Sequence, residues 1–283
     1  MDVELKAKNL HSGIHDISAR VKYPVYVPSR GRADVSLTTR ELMKSKIPFY
    51  VVVEPQEYDL YCEYYNKNDV LKMDKNNGGI SYVRNFCKKH STDTGTKFHW
   101  QFDDNITSFR YRGATKNIKT EAMKCIVACE TVCDAYENIG IAGMSHTMFA
   151  FSRNTHVGIN QQVYSGVLVN NDLDLWWRDD VIEDTDYSLQ VLNTKYYCTV
   201  LFNKFLIDKA ATMAIKGGNT DTSHAGDGRM KRSLKLQEYW PEANFEITNQ
   251  YGRTKIKPSR IWKSYVHQPI PKSFNSPLME FLT

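Results

Sequence analysis

The chain has 283 residues, 41% hydrophobic and 24% charged, which suits a globular fold with a sizeable core and excludes a disordered or low-complexity chain. Lys and Arg number 37 against 32 Asp and Glu, a net +5 that permits a polyanionic partner without requiring one. No long apolar run, no leader pattern and no paired CxxC spacing among the six cysteines argue against a membrane span, a secreted chain and a zinc ribbon, and predict a reduced, cytoplasmic protein.

Residues 1–20 are polar and unpatterned and read as an N-terminal extension. YPVYVPSRGR (23–32) reads as a strand followed by a loop of Pro, Ser, Gly and Arg. Residues 35–46 read as a helix, 48–55 as a buried strand stopped by Pro55, 57–67 as a helix and 69–74 as a short strand. NNGG (76–79) is a turn that opens a helix over 80–91. FHWQF (98–102) is a fourth buried strand, and it runs straight into Asp103, Asp104 and Asn105. This alternation predicts a parallel sheet with crossover helices, whose ligands sit at the carboxyl ends of the strands. Pro28–Arg32, Glu54 and Asp103–Asn105 all fall at such ends.

Residues 119–138 read as a helix on which Cys125, Cys129 and Cys133 form one stripe, best explained as small buried thiols. Residues 139–146 read as a strand, 156–171 as a hairpin or paired strands, and 195–209 as β-rich. Between them, LWWRDDVIEDTDYSLQVLNT (175–194) joins an aromatic anchor, an acidic turn and a helix. Residues 216–229 are a Gly-rich polar loop, 231–242 a helix ended by Pro241, and 256–272 a basic tail punctuated by Pro. The whole reads as one α/β domain, with 216–283 packing on the same body.

Adjacent carboxylates at a strand end repel and are costly to desolvate, and a divalent cation relieves both problems. Oxygen ligands suit Mg²⁺ or Mn²⁺ carrying substrate phosphates, so Asp103, Asp104 and Asn105 read as a handle for a metal–diphosphate complex. A polar turn with an Asx-type hydrogen bond explains the same three residues without a ligand. Glu183, Asp184 and Asp186 open a helix, where negative charge is favoured, yet a cap needs only one of them. The surplus suggests a general base for an attacking hydroxyl. Arg30 and Arg32 beside Gly31 suit phosphate binding, or a plain surface.

PVYVPSRGR, NNGGISYVRN, WQFDDN and EDTDYSLQVL come in the order found in GT-A glycosyltransferases, and the chain resembles that class over roughly residues 21–210. More narrowly, GGISYVRN with WQFDDNI resembles the TET/JBP-associated glycosyltransferases, which occur largely in phages. The resemblance implies a GT-A-like fold, a Rossmann-like mixed sheet flanked by helices, with a basic C-terminal extension. It implies a catalytic domain over 21–215, divided into a nucleotide-sugar half to about 110 and an acceptor half beyond it. It implies transfer from a nucleoside diphosphate sugar, a UDP-sugar foremost, onto a hydroxyl, with a hydroxymethylated pyrimidine such as 5-hydroxymethylcytosine in DNA as acceptor. Carried over residue by residue, Pro28, Ser29, Arg30, Arg32, Glu54, Arg84, Asn85 and Asp103 face the nucleotide sugar. Asp103, Asp104, Asn105 and His224 hold Mn²⁺ or Mg²⁺, with His267 the second histidine candidate. Asp184, with Glu183 beside it, is the base if the reaction inverts. Trp176, Trp177, Arg229, Lys231 and Arg232 face the acceptor. Asn105 departs from the DxD pattern. A saccharide or protein acceptor, a sugar nucleotidyltransferase, and a non-catalytic DNA-binding module remain the alternatives; PSRGRAD lacks the longer Gly-rich loop ending in Lys that marks the nucleotidyltransferases.

Overall fold

The computed structural model describes residues 20–152, 155–210, 228–250, 253–256 and 260–273. Four parallel strands build one side of the sheet: β1 (Val25–Pro28), β2 (Tyr50–Val53), β3 (Val70–Lys72) and β4 (Phe98–Phe102), in the order β3-β2-β1-β4. Their crossovers are α1 (Leu37–Lys44), α2 (Tyr58–Tyr64) and α3 (Gly79–Asp93). The expected mixed α/β sheet flanked by helices is therefore present.

The rest of the chain extends the sheet. β5 (Ile106–Arg112) and β6 (Asn117–Thr120) lead into α4 (Ala122–Asp134), then β7 (Ile139–His146), β8 (Val157–Ile159), β9 (Gly166–Asn170), α5 (Glu183–Asn193) and β10 (Cys198–Lys209). The full order is β3-β2-β1-β4-β9-β7-β10-β5-β6, with β8 paired to β10. β9 lies antiparallel between β4 and β7, and β10 is parallel to β7. So β1 to β4, β7 and β10 all point their carboxyl ends at one edge, the usual place for a ligand in such sheets.

Two sequence expectations change here. Residues 156–171 are not a hairpin: β8 joins β10, while β9 inserts between β4 and β7. The left-handed residues Asn160 (φ 54°) and Ser165 (φ 66°) redirect the chain between them. The helix expected over 119–138 begins only at Ala122, because residues 106–120 form two strands, of which β5 pairs with both β6 and β10.

β4 is buried along its whole length. Phe98, Trp100 and Phe102 face α4, whose Cys125, Cys129 and Cys133 are fully buried and unpaired, as the stripe predicted. The Trp100 indole stacks on Phe102 and donates to Glu130 at 3.0 Å. Glu130 also accepts from the backbone amides of Lys22 and Tyr23, anchoring the entry to β1, and burial pushes its carboxyl up to about 7. On the opposite face of β4, His99 and Gln101 look toward α3.

The C-terminal part folds back on this body through α6 (Gly228–Tyr239); β11 (Ile247–Gln250) pairs antiparallel with β12 (Arg253–Ile256). Leu236, Trp240, Phe245 and Ile261 pack with Leu189 of α5 and with Val181 just before it. Among the described residues no helix is long and apolar enough to cross a membrane.

Candidate active site

The loop after β1 is fixed from below. Ser29 donates its amide to the Val52 carbonyl at 3.0 Å, and its hydroxyl reaches Tyr61 Oη (2.8 Å) and Asp104 Oδ2 (3.0 Å). Gly31 takes φ 64°, a conformation that favours glycine, and donates its amide to Glu57 at 2.8 Å. Glu54, at the end of β2, accepts from the Asn77 amide at 2.9 Å and lies 3.6 Å from Arg30 Nη1. Arg30 closes the circuit by donating to Asn77 Oδ1 at 2.8 Å. Glu54 and Arg30 thus join the PSRGR loop to the NNGG turn, where Gly79 (φ 79°) opens α3.

Beyond β4 the two aspartates part ways. Asp104 is buried, paired with Arg32 and bonded to Ser29, while its carbonyl receives the Leu37 and Thr38 amides at the start of α1. Burial outweighs Arg32 and holds its carboxyl above the usual value. Asp103 keeps a quarter of its side chain exposed. Lys209 Nζ donates to its Oδ2, and Arg84 Nη2 lies 3.6 Å from its Oδ1. Burial pushes Asp103 up, but Lys209 and Arg84 prevail and keep it below the ordinary carboxylate range. Asn105 donates to the Ala210 carbonyl at 3.0 Å.

The three acids of α5 also divide. Asp186 is completely buried and receives Arg178, Gln190 and the Trp240 indole. It ties α6 to α5. Glu183 lies 3.8 Å from Arg232. Asp184 faces Arg84 Nη2 at 3.2 Å. Burial raises its carboxyl to about 7, with Glu183 and Asp103 adding to the rise and Arg84 opposing it. That matches a base working near neutral pH.

These groups surround a cavity of about 350 Å³. Its lining includes Pro28, Ser29, Arg30, Arg32 and Glu54 from the first two strand ends, Arg84, Asp103–Asn105, and Glu183, Asp184, Arg229 and Arg232. A profile of the TET-associated glycosyltransferase family matches residues 23–218. The chain belongs to that family, and it is a glycosyltransferase. No curated protein matches. Among solved structures it is similar to the inositol-1-phosphate CTP transferase from T. maritima, at 12% identity over 68% of this chain and 89% of that one, with a TM-score of 0.35. A score this low says nothing of activity.

Four residues that the sequence placed at this glycosyltransferase site stand outside the cavity wall. Asn85 exchanges hydrogen bonds of 2.9 Å with the Trp177 backbone, so it pins a loop. Trp177 is core, stacked on Tyr187 at 4.0 Å. Trp176 is exposed and donates to Asp174 at 2.8 Å. Lys231 lines a neighbouring hollow of about 620 Å³ with Arg30, Arg232 and Lys235. His224 lies outside the described residues, as does most of the Gly-rich loop. His267 donates to the Tyr197 carbonyl at 2.7 Å, an internal contact.

Sequence reasoning missed Lys209, Ser165 and Gln101. Lys209 ends β10 at the same edge as Asp103, so the strand-end rule that singled out the aspartates also applied to it. Ser165 bonds Lys209 and His146, each at 3.2 Å, and its carbonyl accepts from the Asp103 amide. Gln101 accepts from Arg84 Nη1 at 3.4 Å and donates to the Arg84 carbonyl at 3.0 Å, fixing where the guanidinium stands.

The described residues do not fit the metal handle expected from the sequence. Both aspartates spend carboxylate oxygens on cationic side chains, and among the described residues no three His, Cys, Asp or Glu stand together to hold an ion. Asn105 Oδ1 is buried with no hydrogen-bond partner among them, and one amide oxygen does not make a site.

Proposed function

We propose that the chain transfers a glycosyl group from a nucleoside diphosphate sugar to a hydroxymethylated pyrimidine in DNA. The acceptor oxygen attacks the anomeric carbon, the bond from that carbon to the diphosphate oxygen breaks with its electron pair, and Asp184 takes the acceptor proton. The transition state carries oxocarbenium character, and negative charge grows on the departing diphosphate. Arg30, Arg32 and Arg84 line the same cavity and would offset that charge if the diphosphate binds there. The single observation that carries this reading is Asp184, with its carboxyl raised to about 7, in the same cavity as those arginines.

A DNA acceptor is supported by the adjoining hollow, whose Arg30, Lys231, Arg232 and Lys235 suit a phosphate backbone. A target base in a duplex would be turned out of the stack to reach the cavity. The test incubates the protein with radiolabelled UDP-sugars, and then other nucleoside diphosphate sugars, and DNA containing 5-hydroxymethylcytosine or unmodified cytosine. Label on hydroxymethylated DNA alone is the expected result. Transfer to a saccharide or protein and to neither DNA refutes the DNA acceptor.

A further inference from the structure

We propose that the ammonium of Lys209 occupies the position of a divalent cation at the tip of β4, and that Lys209 and Arg84 together receive the diphosphate of the donor. The part concerning the diphosphate rests on the donor reading above; the part concerning the ion does not.

The placement of Lys209 is built into the sheet. The register between β10 and β5 shifts between Asp208 and Lys209. Such an irregularity re-aims a side chain at the end of a strand. Asp208 is held on its own side by Ser108, Arg110 and Thr147. Lys209 is thereby released to the cavity, which it lines. Its ammonium donates to Asp103 Oδ2 and to Ser165 Oγ. A third N–H has no partner among the described residues, and an ammonium has no acceptor function, so the remaining direction suits an anion. Ser165 is held with φ 66°, a backbone cost that persists where the surroundings require it.

The charges support the same assignment. Arg84 Nη2 sits 3.2 Å from Asp184 and 3.6 Å from Asp103, so one guanidinium bridges two carboxylates while Lys209 neutralises Asp103 from the other side. A divalent ion on Asp103 would have to displace Lys209 or sit against two positive side chains. Phosphoryl oxygens meet no such opposition: they would find two cationic donors already fixed in direction, by Ser165 and by Gln101.

Manganese uptake by electron paramagnetic resonance, with the full chain, tests the ion part directly. The wild-type protein is expected to leave the free Mn²⁺ signal unchanged. Lys209→Ala and Lys209→Met, the second keeping an apolar stem in place, are expected to take up about one Mn²⁺ per chain through Asp103 and Asp184. Adding Asp103→Asn to either is expected to abolish that uptake. Wild-type uptake that Asp103→Asn removes overturns the proposal, and so do folded Lys209 variants as blind to manganese as the wild type. Calorimetric titration with UDP, ADP, GDP and CDP tests the diphosphate part. The best binder is expected to show the same affinity in EDTA as in Mn²⁺, and to lose about 10- to 100-fold in Lys209→Met. Binding that needs Mn²⁺ overturns the proposal. Failure of all four nucleotides under both conditions refutes the donor reading instead, and the manganese result still decides the place of Lys209.

Discussion

Replacing Asp184 with Asn removes the proposed base while keeping its shape, and the wild-type pH profile gives that experiment its scale. An exposed aspartate titrates near 3.9 and would be fully ionised throughout the range from pH 5 to 8. Asp184 is raised to about 7 by burial, Glu183 and Asp103, against the opposing Arg84. Wild-type kcat/KM should therefore rise about tenfold per pH unit up to about 7 and then level, so that at pH 5 it is about 100-fold below its plateau. Asp184→Asn should cost about 10²- to 10⁴-fold on the plateau and erase the slope. Stability gives an independent check of sign. Because the folded-state pKa lies above the unfolded one, the Asp184 charge opposes folding above pH 7, and this penalty fades as pH falls. The Tm of Asp184→Asn relative to wild type should thus increase as pH is raised from 5 to 8. Initial rates with labelled donor and thermal melts in the same buffers give both numbers. A flat wild-type profile, or a variant within tenfold of wild type, would refute the assignment of Asp184.

Arg32→Met strands Asp104 in the interior and should cost about 3–5 kcal/mol at pH 8, read as a drop of about 6–20 °C in Tm. Asp104 already titrates above its usual value and loses its cation in this variant, so the deficit should shrink as pH falls toward 4; adding Asp104→Leu should restore most of it. Asp186→Ala removes the acceptor for Arg178, Gln190 and the Trp240 indole, and should raise amide hydrogen exchange in α6 far more than in β4. Gln101→Leu releases the Arg84 guanidinium. Since Arg84 lowers Asp184, the acid limb of the rate profile should move to higher pH, while a merely structural role for Gln101 would leave it in place.

The first four strands, their helices and the edge that carries the site were legible because each rests on a local signal. FHWQF is apolar enough to be central, the cysteine stripe has helical spacing, and Asp103, Asp104, Glu54 and Arg32 end strands or follow them. What local pattern could not give was which way each side chain is committed. Asp103 and Asp104 are neighbours of the same type, yet one keeps partial exposure and the other is buried on Arg32, from a loop some seventy residues earlier. Asp184 and Asp186 look alike in EDTD, and only the arrival of Trp240 from α6 makes the second structural. Asn85 beside Arg84 looked like a ligand contact because nothing in VRN shows that the Trp177 backbone will meet it. The hairpin expected over 156–171 failed for a related reason: β9 finds its partners in β4 and β7, which are distant in sequence. Lys209 could have been found, since its strand ends at the same edge, but a lysine closing a β-rich run carries no mark of its own.

The circuit of Glu54, Arg30 and Asn77 bears on how the protein meets its donor. Two segments far apart in the chain, the turn at 76–79 and the loop at 28–32, are stitched together by their own side chains and backbone. An incoming anion therefore finds its walls standing and loses little affinity to immobilising them. Association should be steered by Arg30, Lys231, Arg232 and Lys235 at the adjoining hollow, so its rate should fall with added salt while the rate of departure changes little.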